Sequence, residues 1–221
     1  MLIVDAHCDT ALSVYKNNGD LYENQFQLDI KRLKGIGRCV QFFASFAHPH
    51  DYRNDTLTRV LSILDVVYEA QQEHGDVFAV CTSADDIERA LSGGKTAAIL
   101  SVEGGECLNG ELAVLRQLYR LGVRSMLLTW NYRNMLADGA EEEGGSGLTR
   151  FGKEVVAEMN RLGMLVDVSH LCEASFYDVM SVTTSPVIAS HSNAMTICRN
   201  ERNLTDRQLS EIKANGGGVG I

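Results

Sequence analysis

The feature that most constrains the fold of this chain is a regular alternation of short apolar segments with amphipathic ones. The apolar segments are rich in β-branched and aromatic residues, which is typical of strands. They cover residues 2–10, 39–46, 96–103, 123–130, 164–170, 186–191 and 216–221. The segments between them predict helices, most clearly at 55–75, where apolar residues recur with a 3.6-residue period. Nearly continuous apolar strands that alternate with helices predict a parallel sheet covered by helices.

Two architectures fit this alternation, an open doubly wound sheet and a (β/α)8 barrel. A dinucleotide-binding open sheet is expected to carry a G-x-G-x-x-G motif after an early strand, and the chain has none there. Its polar residues lie instead at the carboxyl ends of several strands, where barrel enzymes build their active sites. The sequence therefore predicts an α/β fold of the (β/α)8 TIM-barrel type, as a single domain over residues 1–221.

Metal-binding residue types recur at the predicted strand ends. The first strand ends in His7-Cys8-Asp9, and side chains two positions apart on a strand point the same way. Later strands end in Glu103, His170 and His191. One such residue is more often a core side chain than a ligand, but four strands that all end this way indicate a metal centre.

The chemistry of these five residues indicates how many ions they hold. A catalytic zinc ion usually takes three protein ligands and a water molecule, so five ligands are too many for one ion. They suit two ions that share a carboxylate: His7 and Asp9 on one, His170 and His191 on the other, with Glu103 between them. Such a pair of ions lowers the pKa of a bridging water and polarises a carbonyl group, so the pattern predicts a hydrolase.

Composition narrows the functional class. The chain has 221 residues and a formal charge of −9, which argues against nucleic-acid binding. It has no run of about 18 apolar residues and no secretion signal, so neither a membrane span nor export is expected. Its six cysteines are scattered without a C-x-x-C pair, which favours reduced thiols and a cytoplasmic location.

Six strings of the sequence carry a specific resemblance to a known family. The strings VDAHCDT, SVEGGECL, LTWNYRNMLADG, VDVSH, PVIASHSNA and RNERN occur in this order. In both order and spacing they resemble the renal (membrane) dipeptidase family of metallopeptidases, which belongs to the amidohydrolase-like barrels. The resemblance is closest to a cytoplasmic, bacterial-type member.

The resemblance implies a function and roles for particular residues. The expected activity is hydrolysis of dipeptides by a hydroxide that bridges two zinc ions, held by His7, Asp9, Glu103, His170 and His191, with Glu103 also counted as catalytic. The family binds the free carboxylate of the substrate with an arginine, and the matching position is Arg202.

The chain departs from the family pattern in two places. The family has a histidine after the fourth strand that contacts the substrate carbonyl, whereas the matching segment here is Thr129-Trp130-Asn131-Tyr132. Asn131 or Tyr132 is expected to supply the hydrogen bond instead. The family also has an eighth strand that ends in a proton-shuttling aspartate, so we expect an incomplete barrel that lacks its last strand and helices.

Two other readings stay open beside the dizinc dipeptidase. One is an amidohydrolase that acts on a cyclic amide or an acylated amine, although such enzymes commonly open with His-x-His and carry a bridging lysine. The other is a catalytically silent, metal-binding fragment. The expected partner is a small dipeptide, with no nucleic acid and no membrane, and a homodimer stays open as the assembly.

Overall fold

The computed structural model describes residues 1–48 and 55–221. It has the predicted α/β character, with parallel strands that alternate with helices. The chain divides into two compact units, one of residues Met1–Val102 with Gly122–Arg124, and one of residues Glu103–Leu121 with Ser125–Ile221. The prediction of a single domain stays a prediction. None of the helices in the described ranges is both long enough and apolar enough to cross a membrane.

The first unit is built on parallel strands in which β2 lies beside β1. Its elements are β1 (Leu2–Asp5), α1 (Thr10–Asn17), α2 (Ile30–Ile36), β2 (Arg38–Phe46), α3 (Thr56–His74), β3 (Phe78–Val80), α4 (Ala84–Ser92) and β4 (Thr96–Glu103, whose last residue belongs to the second unit). In the sheet β2 separates β1 from β4. The long helix α3 packs on α1 and β2, and its side chains Val60, Ile63 and Leu64 are buried.

The strand β3 was not predicted from the sequence. It has three residues and pairs with the beginning of β4, where Phe78 lies opposite Thr96. A segment this short is below the length at which an apolar pattern indicates a strand. The packing of Phe78, whose ring meets that of Phe43 edge to face at 5.7 Å, anchors it in the core.

The second unit continues the same alternation. Its elements are a 3-10 turn (Gly105–Leu108), α5 (Leu112–Arg120), β5 (Val123–Leu127, which begins in the first unit), α6 (Arg150–Leu162), β6 (Leu165–Asp167), α7 (Glu173–Val182), β7 (Ile188–Ala189), α8 (Asp206–Ala214) and β8 (Gly218–Val219). The strands β5, β6, β7 and β8 lie side by side in chain order and are parallel. All seven predicted strands are thus present, although β1, β5, β6, β7 and β8 are shorter than predicted.

Local sequence signals explain where the helices of this unit begin and end. The hydroxyl of Thr149 accepts a hydrogen bond from the Gly152 amide, and Thr205 forms a capping box with Gln208. Helix α6 ends at Gly163, whose φ of 76° lies in the left-handed region that glycine adopts without strain.

A long connection joins β5 to α6, and Asp138 holds it in place. The carboxylate of Asp138 is only 3% exposed, pairs with the Arg133 guanidinium and accepts a hydrogen bond from the Ser146 amide. The next residue, Gly139, lies so close to Asn131 that a Cβ atom would come within 2.3 Å of that residue's carbonyl carbon. The connection is therefore closely packed on itself, which matters because it carries Asn131 and Tyr132.

Replacing Asp138 by alanine is expected to lower the free energy of unfolding by about 1–3 kcal/mol, since a buried amide and a guanidinium lose their acceptor. The hydrogen bond from Arg133 holds the pKa of Asp138 below its ordinary value. The carboxylate's contribution is therefore fully present above the ordinary pKa of about 3.9 and is lost as pH falls through the lower folded value. Denaturant unfolding of the wild-type and Asp138→Ala proteins between pH 7 and pH 2 measures how the difference in their free energies of unfolding changes with pH. Glu154→Ala, which removes an exposed ion pair with Arg150, serves as the control and is expected to change stability by less than about 0.5 kcal/mol.

Candidate metal centre

In the first unit, His7 and Asp9 lie just beyond the end of β1. Pairing with β2 continues past the strand, because the Ala44 amide donates to the Cys8 carbonyl oxygen at 3.0 Å. The Asp5 carboxylate accepts from the His7 amide at 3.2 Å, which turns the chain toward α1. As a result Nε2 of His7 lies 3.7 Å from Oδ2 of Asp9. The structure therefore brings together the pair that the His-x-Asp spacing predicted.

In the second unit, Glu103, His170 and His191 bring their donor atoms together. Oε1 of Glu103 lies 2.9 Å from Nε2 of His170 and 3.7 Å from Nε2 of His191. The two Nε2 atoms are themselves 2.8 Å apart. Glu103 and His170 are 5% and 6% exposed, so this cluster is largely shielded from water. Three residues that are widely separated in the sequence thus form one cluster of donor atoms.

The backbone at His170 is in an unusual conformation. Its φ is 70°, in the left-handed region that a residue with a Cβ atom occupies only at a cost of about 1–2 kcal/mol. The surrounding chain imposes this conformation, because the Ala140 amide donates to the His170 carbonyl oxygen at 2.8 Å. The turn ends β6 early and directs the imidazole toward Glu103. Strain of this kind is typical of residues held for a function.

Both histidines of the cluster make a second contact through Nδ1. Nδ1 of His170 lies 2.7 Å from Oδ1 of Asn131, and Nδ1 of His191 lies 2.8 Å from the Ser190 hydroxyl. These contacts leave both Nε2 atoms facing the Glu103 carboxylate. Histidine ligands of metal ions commonly bind through one ring nitrogen while the other nitrogen is hydrogen-bonded in this way.

The donor set of the second unit fits a zinc ion. Zinc bonds of about 2.0–2.1 Å in tetrahedral geometry separate neighbouring ligand atoms by about 3.3 Å. The separations among Oε1 of Glu103 and the two Nε2 atoms, from 2.8 to 3.7 Å, lie around that value. Two imidazole nitrogens this close to each other and to a buried carboxylate also favour a positive charge between them. Nitrogen and carboxylate donors together suit zinc better than calcium or magnesium, which prefer oxygen alone.

Arg202 lies beside this cluster. Its Nη2 is 3.4 Å from the His191 carbonyl oxygen, and it lines a cavity of about 100 Å³ together with His170 and Ser192. The guanidinium is largely buried, and burial lowers its pKa from the ordinary value. Among the described residues, no carboxylate forms an ion pair with it. The loop from Asn193 to Leu204 is held closed at its two ends, where the Leu204 amide donates to the Asn193 carbonyl oxygen at 2.8 Å.

Asn131 and Tyr132 differ in their contacts and in their exposure to solvent. The amide of Asn131 contacts protein groups at both ends, His170 through Oδ1 and Glu141 through Nδ2. Tyr132 is 46% exposed, and its ring lies edge to face with that of Trp130 at 5.8 Å. Sequence reasoning missed the contact of the Trp130 ring with that of His170, at 6.3 Å between centroids. Their separation of 40 positions leaves no local pattern that could have revealed it.

Comparisons with known proteins identify the family of the chain. A family model described as membrane dipeptidase (peptidase family M19) matches residues 1–221. The chain is 36% identical to an uncharacterized dipeptidase of Schizosaccharomyces pombe, with 99% of this chain and 58% of that protein aligned. It is 33% identical to dipeptidase 3 of Mus musculus, with 97% of this chain and 45% of that protein aligned. The chain thus spans about half the length of these curated relatives.

A solved structure of a related peptidase has the same fold as this chain. A metallo peptidase from Rhodobacter sphaeroides matches with a TM-score of 0.92 and 28% identity, over 100% of this chain and 73% of that one. This likeness confirms the predicted TIM-barrel class, and the family match confirms the resemblance inferred from the six sequence strings. The chain belongs to the membrane dipeptidase family of metallopeptidases, peptidase family M19.

Proposed function

We propose that the complete protein is a zinc-dependent dipeptidase. The observation that carries this proposal is the cluster of Glu103, His170 and His191, whose donor atoms meet within 3.7 Å in a shielded position. The names of the relatives support the dipeptide substrate. The Rhodobacter sphaeroides protein was solved with a phosphinate mimic of the dipeptide L-Ala-D-Ala, which supports the same class of substrate here.

The proposed cofactor is a pair of zinc ions. We assign His170 and His191 to one ion, and His7 and Asp9 to the other, with Glu103 shared between them. This assignment rests on the donor chemistry and on the family resemblance. When bound, such a pair supplies an activated hydroxide nucleophile and a Lewis acid for the peptide carbonyl.

The residues of the chain bind and orient the substrate. The Arg202 guanidinium is assigned to the free carboxylate of the dipeptide, because it is buried, lies next to His191 and presents a planar pair of donors. Tyr132 is assigned to the substrate carbonyl through its hydroxyl group, which would exchange its hydrogen bond with Glu141 for one to the substrate. The Glu103 carboxylate, which lies 2.9 Å and 3.7 Å from the Nε2 atoms of the two imidazoles, is proposed as the catalytic carboxylate.

The proposal is tested by metal removal and by a matched pair of substrates. We expect the complete, zinc-loaded protein to hydrolyse free dipeptides, to lose activity after treatment with 1,10-phenanthroline, and to regain it when zinc is added back. An N-acetylated dipeptide amide and a cyclic amide, assayed in parallel, distinguish a dipeptidase from a general amidohydrolase. Hydrolysis of the blocked substrates in preference to the free ones contradicts the dipeptidase assignment, and zinc binding without any hydrolysis indicates a silent metal-binding protein.

Cellular location and assembly form the remaining parts of the proposal. All six cysteines are free thiols in the described structure, which supports a reducing, cytoplasmic environment. A homodimer is the assembly we would test first, by light scattering of the complete protein.

A further inference from the structure

A carboxylate and an amide hold the His170 imidazole from its outer side. Nδ2 of Asn131 donates to Oε1 of Glu141 at 2.7 Å, and Oδ1 of Asn131 lies 2.7 Å from Nδ1 of His170. A carboxylate can only accept hydrogen bonds, so the Glu141 contact determines which end of the Asn131 amide turns toward the imidazole. The oxygen end faces Nδ1. That nitrogen therefore carries a proton, which leaves Nε2, 2.9 Å from Oε1 of Glu103, as the ring nitrogen that can bind a metal ion.

We infer that Asn131 is a positioning residue, which together with Glu141 fixes the tautomer and the orientation of His170 for metal binding. The inference rests on the metal-binding part of the proposed function. It assigns Asn131 a role that differs from the substrate contact expected from the sequence, because both polar ends of its amide are already engaged by protein groups.

The position of Asn131 is itself fixed by the connection that follows β5. The Glu141 amide donates to the Asn131 carbonyl oxygen at 2.9 Å, which closes a ten-residue loop. The Ala140 amide donates to the His170 carbonyl oxygen at 2.8 Å, so the same loop also holds the strained backbone of the histidine. A hydrogen bond between the Tyr132 hydroxyl and Glu141 raises the pKa of that tyrosine and adds a further contact to the carboxylate. Residues 131–141 thus hold both the backbone and the imidazole of His170 through hydrogen bonds.

The Nδ1 contacts of the two histidines differ in how strictly they fix the tautomer of the ring. Nδ1 of His191 contacts the Ser190 hydroxyl, and a hydroxyl group can either donate or accept. That contact is compatible with both tautomers of His191. Asn131 with its oriented amide allows only one tautomer of neutral His170. A change at Asn131 should consequently weaken one metal site and leave the other largely intact.

Zinc affinity and the histidine tautomer test this inference. Asn131→Leu keeps a side chain of similar size but removes the oxygen that accepts from Nδ1 of His170. We expect this variant to lower the zinc affinity of one of the two sites by about 10–100-fold, measured by chelator competition, which is typical when a hydrogen bond to a metal-binding histidine is lost. Asn131→Asp combined with Glu141→Gln keeps an acceptor oxygen toward Nδ1 of His170, because the new amide at position 141 can donate to the new carboxylate at position 131, and this double variant is expected to retain the wild-type affinity. In the metal-free protein, nitrogen NMR should show His170 protonated at Nδ1, and Asn131→Leu should produce a mixture of tautomers.

Further variants distinguish a hydrogen-bonding role of Asn131 from a role in which the loop only packs against His170. Glu141→Gln can present its amide nitrogen as well as its oxygen to Asn131, so we expect a partial loss of zinc affinity, whereas the exposed Glu143→Gln in the same loop should have no effect. Unchanged affinity and tautomer in Asn131→Leu overturn the inference. So does an equal loss in the Asn131→Asp, Glu141→Gln double variant, because a packing role does not depend on an acceptor. If zinc affinity and tautomer respond as expected but no dipeptide is hydrolysed, the proposed function fails and the role of Asn131 stands.

Discussion

Replacing Glu103 by glutamine is expected to lower kcat/KM for a free dipeptide by roughly 10²–10⁴-fold, which corresponds to the 3–5 kcal/mol typical of removing one partner of a buried charged group. Oε1 of Glu103 lies 2.9 Å from Nε2 of His170 in a position that is only 5% exposed. The substitution keeps the shape of the side chain but removes the negative charge that balances the bound cations. The glutamine amide can in addition donate to the imidazoles, which stabilises the metal-free form.

Glu106→Gln is the matched control for this prediction. Glu106 lies three residues further along, on the 3-10 turn, and accepts a hydrogen bond from Nδ2 of Asn134 at 3.1 Å. The same chemical change at that position should leave zinc stoichiometry and kcat/KM close to the wild-type values. Metal analysis by mass spectrometry, kinetics and thermal unfolding are measured on all three proteins. A Glu103→Gln protein that binds two zinc ions and retains near-native turnover would remove Glu103 from the metal centre.

The cluster of metal-binding side chains could be predicted from the sequence because of a topological rule. Carboxyl ends of neighbouring parallel strands meet at the same edge of a sheet, so polar residues that end separate strands are brought together. Glu103 is the last residue of β4, His170 and His191 follow β6 and β7, and their donor atoms do meet. The prediction needed only the strand assignment and the chemistry of the residue types.

The local backbone at the same residues could not be predicted. The segment that ends at His170 looks like a seven-residue strand, yet β6 stops at Asp167 and His170 has a φ of 70°. No glycine or asparagine marks the turn. It is imposed by hydrogen bonds from Ala140 and Thr129, which lie 30 and 41 residues earlier in the chain. Contacts over such distances leave no signal in a local pattern.

The hydrogen bonds of the Asn131 amide could not be predicted from the sequence either, and its expected contact with the substrate stays a prediction. The sequence placed it where the family carries a histidine, and from that position a contact with the substrate was predicted. In the structure its amide lies between His170 and Glu141. The direction of the amide depends on closure of the loop at Glu141, which nothing in the residues next to Asn131 indicates. Tyr132, one position further on, is exposed, and its substrate contact stays a prediction.

Replacing Arg202 by alanine is expected to lower kcat/KM for free dipeptides by about 30–3,000-fold, mainly through a higher KM, as for a buried charge pair that loses one partner. The guanidinium is largely buried next to the His191 carbonyl oxygen and lines the cavity beside His170. A desolvated cation in this position is offset best by a carboxylate from the substrate. A dipeptide amide lacks that carboxylate, so its already low kcat/KM should change much less.

Two further variants make the Arg202 prediction specific. Arg202→Lys keeps the charge but loses the planar pair of donors, so an intermediate loss is expected if the carboxylate is bound through two parallel hydrogen bonds. Arg199→Ala removes an exposed arginine from the same loop and should affect neither substrate. Kinetics with a dipeptide and its amide on each protein give the comparison. Equal losses on both substrates in Arg202→Ala would show that the arginine supports the loop or His191 instead of the substrate carboxylate, because only a carboxylate contact distinguishes the two substrates.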